Sequence, residues 1–153
     1  MKSEEMFLKY AKLNDLDEEH QTFTAWHFCN NEKDANELAE LVFIGQKTAT
    51  CSSHWLYEVE GEPLPQVGNF SVIENWKGNA VCIIKTTAVT LVPFDEVTAE
   101  HAFKEGEGDR SLEYWRRVHK DVYTAELADY EKEFSPKMLL VCEEFEAITN
   151  KKL

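Results

Sequence analysis

The ten residues Ala80-Val81-Cys82-Ile83-Ile84-Lys85-Thr86-Thr87-Ala88-Val89 constrain the fold more than any other stretch, because six of them are β-branched. Side chains forked at Cβ lose little freedom on a pleated surface and more in a helix, so the run predicts a long strand. Trp76-Lys77-Gly78-Asn79 just before it has turn composition, and Phe70 to Glu74 is a further strand, so the three together predict a hairpin.

The elements around this hairpin are both helical and extended. Ser3 is an N-cap for a short helix whose acidic Glu4 and Glu5 suit its positive end, with Met6, Tyr10 and Leu13 on one face. Thr22 to Phe28, rich in aromatic and β-branched residues, predicts a strand. Asn30 or Asn31 caps a helix that turns Ala35, Leu38, Leu41 and Val42 inward and stops at Gly45. Lys47 to Trp55 reads as a turn that becomes extended, and Glu60 to Gly68 as a loop. Helices are expected from Thr98 and from Asp109 or Ser111, the latter carrying Tyr114, Trp115, Val118 and Val122, before a last strand at Met138 to Phe145. Strands with inserted helices, lacking the regular alternation of a doubly wound sheet, predict an α+β fold built on a small β-barrel with flanking helices.

A chain of 153 residues matches one domain, and its 43% hydrophobic content suffices for one core. The single domain is read as residues 1–153, with 1–30 an N-terminal helix and strand extension. Runs such as Ala80 to Ile84 and Met138 to Val141 are far shorter than the roughly 20 apolar residues that span a bilayer, so no membrane partner is expected. An acidic start without an apolar segment is no secretory signal, which makes the cytoplasm the expected compartment. Cys29, Cys51, Cys82 and Cys142 are widely spaced and read as reduced thiols. Cys51 and His54 have metal-ligand spacing, but no second pair completes a tetrahedral set, so no metal is expected. A net charge of −13 opposes broad phosphate contact and excludes extended double-stranded nucleic acid, while leaving room for a local patch or a neutral nucleoside.

The chemistry concentrates in Gly45-Gln46-Lys47-Thr48-Ala49-Thr50. Lys47 and Thr50 would face opposite sides of a straight strand, so the amine and hydroxyl meet only across a bend, which Gly45 permits. A lysine base also needs burial or a neighbouring cation to lose its proton. The alternative is a solvated Lys47 beside an ordinary strand threonine. Glu105, entering the loop Gly106-Glu107-Gly108-Asp109, is either a cleft carboxylate or one of several surface acids. Arg110, Arg116, Arg117 and Lys120 form the best basic cluster, offset by Glu113, Asp121 and Glu126, and His101 and His119 read as packed or hydrogen-bonded imidazoles.

The GxKTxT pattern at Gly45 to Thr50, followed by Thr98-x-x-His101-Ala102-x-x-Glu105, resembles the ASCH family over roughly Glu37 to Ile148 (37–148), and Glu105 to Arg116 is similar to its longer stand-alone members. The resemblance implies a PUA-like β-barrel with helices around a cleft and an association with RNA metabolism. Small bacterial members hydrolyse N4-acetylcytidine with a lysine and a threonine of this motif and a downstream glutamate. Carried over, these are Lys47 as base, Thr50 as nucleophile and Glu105 as proton carrier. No cofactor is implied.

Gly45, Gln46, Ser52, Trp55 and Arg116 are the candidate substrate contacts, although Gln46 and Ser52 stand where the small hydrolases often carry basic residues. A modified nucleoside or short RNA is the expected partner. The competing reading is a non-catalytic RNA-binding module in which Lys47 meets a phosphate or base edge, and a third is a protein-interaction module using the acidic surface.

Overall fold

The computed structural model describes residues 1–19 and 21–148, so the last five positions of the expected domain lie outside the described residues. The β-branched run lies in β4 (Ala80–Pro93), which continues past Val89. It forms the expected hairpin with β3 (Phe70–Glu74), closed by a Gly78 N–H that donates to the Asn75 carbonyl at 3.0 Å. The first half of β4 pairs with β3 and most of its length pairs antiparallel with β5 (Leu139–Ala147). β5 then pairs antiparallel with β2 (Ala49–Ser53), and β3 pairs parallel with β1 (Phe23–Trp26), giving the order β1-β3-β4-β5-β2.

The architecture is α+β, but the five-stranded mixed sheet is open: among the described residues β1 and β2 are its two edges and do not pair with each other. The expected barrel is therefore corrected. β1 has four residues and β2 five, which leaves little strand length for a closing seam. A register shift between Thr86 and Ala88 marks where β4 bends as it passes from β3 toward β5.

α2 (Glu32–Phe43) starts as expected at Asn31, whose side chain accepts from the Asp34 N–H at 2.9 Å. Ala35, Ala39 and Val42 are its buried positions, and the last two join a cluster with Phe28, Ile73, Cys82, Ile84 and Phe145. α4 (Ala99–Glu105) is capped by Thr98 and α5 (Leu112–Ala128) by Ser111. Trp115 and Tyr123 of α5 pack with Phe94, Leu140 and Cys142 to form a second cluster. No helix among the described residues is long and apolar enough to cross a membrane.

Two local expectations change. In α1 (Ser3–Leu13) the cap is Lys2, and Ser3 lies inside the helix, where its hydroxyl donates to Glu74. Its buried stripe is Ser3, Phe7 and Ala11, at i,i+4 spacing, and Leu13 is exposed. Phe7 wins that face because its ring fits among Phe23, Phe70, Val72 and Ile83. The second change follows β2. Its ladder ends at Ser53, opposite Leu140 near the beginning of β5, and the chain turns into α3 (His54–Glu60). Trp55 accordingly stands on a helix and not at the end of the expected extended segment, and Tyr57 follows on the same helix.

Candidate active site

Two segments far apart in sequence are laced together around Lys47. After α2 the chain turns at Gly45, with a φ of +84°, and the N–H groups of Gln46 and Lys47 both donate to the Leu41 carbonyl. The Gln46 amide donates to the Gly106 carbonyl at 2.7 Å, and the Thr48 N–H donates to the Lys104 carbonyl at 2.8 Å. Gly106 has a φ of +74°, and a Cβ there would lie 2.5 Å from the Gln46 carbonyl oxygen. Only glycine lets the end of α4 approach this closely. Lys47 and Glu105 are consequently held face to face.

Both are 1% exposed. The Lys47 ammonium donates to Glu107 Oε2 at 2.9 Å, to the Glu105 carbonyl at 3.3 Å and to Glu105 Oε1 at 3.4 Å. The other carboxylate oxygen of Glu105 is bonded to His101 Nε2 at 2.8 Å and accepts from the Trp115 indole. Burial favours the uncharged forms, but attraction decides the outcome. Glu105 and Glu107 hold the lysine pKa above its ordinary value against burial, and Lys47, with hydrogen bonds from His101 and His119, holds that of Glu105 well below its ordinary value. Lys47 is thus held toward its ammonium form, whereas the expected base role needs the neutral amine. Glu105 is a buried carboxylate, not a surface acid.

Within β2 successive side chains alternate between faces, and Cys51 points to α5, where its thiol meets the Tyr123 hydroxyl at 3.0 Å. Thr50 therefore lies on the opposite face, across from Glu143 of β5. Ser52 shares that face and hydrogen-bonds the Tyr57 hydroxyl at 2.9 Å. The other candidate contacts disperse. Trp55 packs edge-to-face on Tyr130 with Lys132 4.0 Å over its ring, Arg116 is exposed on α5, and Gly45 and Gln46 build the turn. The basic cluster is also split, since Arg110 stacks on Phe103, Arg117 lies over Tyr114 and Lys120 over Phe134.

Burial raises the Glu143 pKa to about 7, against the lowering effect of a hydrogen bond with Thr86. A carboxyl raised in the folded state contributes its stability at acid pH and loses it as pH climbs from the unfolded value toward the folded one. Glu143→Gln cannot ionise. It is expected to match the wild type near about pH 4 and to exceed it by about 2–3 kcal/mol near about pH 8, as urea unfolding at the two pH values will show. Equal stability at the higher pH would mean that Glu143 ionises freely.

A groove of about 260 Å³ opens between β4, β5 and α4, lined among others by Thr90, Val92, Thr98, His101, Lys104 and Glu144. His101 is the link, because its side chain is 13% exposed, borders the groove and bonds the buried Glu105. Sequence reasoning undervalued His101, Trp115, His119, Glu107 and Cys51 as members of this site. One signal was available: His101 and Glu105 on α4, like Trp115, His119 and Tyr123 on α5, recur at i,i+4 and so share a helix face.

The family model for the ASCH domain matches residues 24–149. A crystal structure of an ASCH domain from Lactobacillus crispatus JV V101 superposes with a TM-score of 0.85 at 36% identity, covering 95% of each chain. Protein EF3133 from Enterococcus faecalis V583 gives a TM-score of 0.87 at 35% identity, covering 95% of this chain and 86% of that one. The hypothetical protein PH0355, at 22% identity and a TM-score of 0.51, shares the fold. No curated protein matches the chain. With the GxKTxT segment and the downstream glutamate folded against one another, and with the match spanning most of the sequence, this chain belongs to the ASCH domain family.

Proposed function

We propose that this ASCH domain recognises a nucleoside or RNA base in the groove beside α4 and hydrolyses an exocyclic amide there, of the kind present in N4-acylated cytidine. The observation that carries the reading is the buried Glu105 carboxylate bonded to His101 at the groove wall. By accepting from Nε2–H, Glu105 holds His101 in the tautomer whose Nδ1 carries a lone pair. That nitrogen takes a proton from water as the water oxygen attacks the acyl carbonyl. The imidazolium then returns the proton to N4 as the C–N bond breaks, giving a carboxylic acid and cytidine. Lys47 keeps Glu105 ionised and adds positive potential; it does not move the proton.

Water is the nucleophile in this scheme, a choice supported by the pairing of Thr50 with Glu143 on the strand face opposite Cys51. Acetate release from N4-acetylcytidine is therefore expected from the wild type, with Thr50→Ala within about threefold of it. A loss of about 10²-fold or more in that variant would return the nucleophile to Thr50.

A second reading, RNA binding without turnover, draws support from a separate groove where Trp55 lies beside Lys132 and Lys137, an aromatic and basic pairing suited to a stacked base and its phosphate. Salt-sensitive RNA binding with no product from any acylated nucleoside would establish it in place of hydrolysis. All four cysteines are free thiols, which suits a reducing compartment and supports a cytoplasmic location.

A further inference from the structure

Cys51 Sγ, Glu105 carboxylate oxygen and His119 ring nitrogen, from β2, α4 and α5, lie within 4.8 Å of one another. His119 Nδ1 is 2.8 Å from the Trp115 carbonyl, a contact that requires a proton on Nδ1. In the neutral ring this leaves Nε2 with a bare lone pair, and Nε2 stands 3.5 Å from Glu105 Oε1. The contact therefore holds in one of two ways, as an imidazolium donating from Nε2 to Glu105 or with a metal cation in the place of that proton. The separation fits such an ion: nitrogen and oxygen ligands held tetrahedrally at zinc distances are about 3.3 Å apart.

Each of the three groups also has a partner that orients it. The His119 Nδ1–H is directed at a main-chain carbonyl, the far oxygen of Glu105 is engaged by His101 and Trp115, and the Cys51 thiol meets the Tyr123 hydroxyl. Such outer contacts fix metal ligands in orientation and ring tautomer. His119 is further clamped by stacking on Trp115, with ring centroids 4.3 Å apart. Lys47 does not block the arrangement, since its ammonium keeps Glu107 and the Glu105 carbonyl when Oε1 is shared.

We propose that Cys51, Glu105 and His119 form a binding site for a divalent borderline metal, with zinc the best fit to a sulfur, nitrogen and oxygen donor set. The ion binds as Cys51 releases its thiol proton to solvent, with no change of oxidation state. The two charges of the ion and that of Lys47 then balance the thiolate, Glu105 and Glu107. Three protein ligands leave one position open to water or another small donor. The inference stands apart from the hydrolysis reading, because its readout is metal binding.

The test is titration of the metal-stripped full chain with Co²⁺, followed by Zn²⁺. A thiolate-to-cobalt charge-transfer band is expected, saturating at one ion per chain and erased by Zn²⁺. Cys51→Ser should abolish the band, and His119→Gln should weaken binding by about 100-fold or more, with circular dichroism confirming that both variants fold. Absence of the band, or its survival in Cys51→Ser, overturns the site. Nitrogen-15 spectra of the wild type decide independently of any variant: Zn²⁺ should shift His119 Nε2. A ring that carries protons on both nitrogens at neutral pH and ignores Zn²⁺ would show that an imidazolium supplies the charge, and the proposal would fail.

Discussion

Replacing Lys47 with methionine is expected to destabilise the folded domain by about 3–5 kcal/mol, the usual cost of leaving a buried charge without its partner. Methionine fills similar space, so the loss reports the ammonium and not a cavity. Without it, Glu105 keeps its contacts with His101, Trp115 and His119, but Oε1 and the Glu105 carbonyl lose a donor. Glu107 is less affected, because its side chain is 18% exposed and can turn to water. The pH dependence has a definite sign. Glu105 has a depressed pKa, so its stabilisation is present above the unfolded carboxyl value and fades as pH falls through the folded one. Lys47 has a raised pKa, so its share is present below the unfolded amine value and fades as pH rises through the folded one. Between them lies a broad plateau, across which the Lys47→Met penalty should be constant before shrinking in acid. Urea unfolding measures it directly, and the double variant with Glu105→Gln should lose less than the two single losses combined. A Lys47→Met protein as stable as wild type at neutral pH would show that the pair contributes nothing net.

How far the sequence discloses this arrangement depends on the range of the interactions involved. The β3–β4 hairpin was legible because its signal is local: β-branched residues follow a Gly78 turn, and few alternatives compete. The Gly45 stop and the caps at Asn31, Thr98 and Ser111 were legible for the same reason. The change from strand to helix after Ser53 was not, since Trp55 and Tyr57 have strand preferences and what stops the strand is the place where β5 begins, more than eighty residues later. In α1 the helix was legible but its buried face was not, because Phe7 is selected by rings on β1 and β3. The open sheet follows from strand lengths that composition does not disclose.

The site divides along the same line. Lys47 and Glu105 were found through a family pattern, yet nothing local reveals that both are buried or that Glu107 joins them. Thr50 is a harder case, since its spacing from Lys47 demands a bend for the two side chains to meet, and its cross-strand neighbour Glu143 lies more than ninety residues away in sequence. In the sequence His101, like His119, reads as a packed or hydrogen-bonded imidazole. Its importance arises only because α4 ends against the Gly45 turn and carries His101 between Glu105 and the groove.

That position makes Glu105→Gln the sharpest test of the proposed chemistry, with an expected fall in kcat on N4-acetylcytidine of roughly 10³-fold. A glutamine amide can present its NH₂ to His101 Nε2, which would then accept and leave its proton on Nδ1. Nδ1, the base of the proposed scheme, would become a donor, and the base would be lost without moving any atom far. KM should change little, because the groove wall is preserved. His101→Gln should lose a similar factor, and the double variant should lose little more, since two members of one relay do not contribute separately. The pH profile separates relay from scaffold: activity of both variants should rise steeply in alkali as hydroxide replaces the assisted water, whereas the wild type should depend far less on hydroxide. A folded Glu105→Gln enzyme that keeps activity within about threefold of wild type would remove the carboxylate from the mechanism.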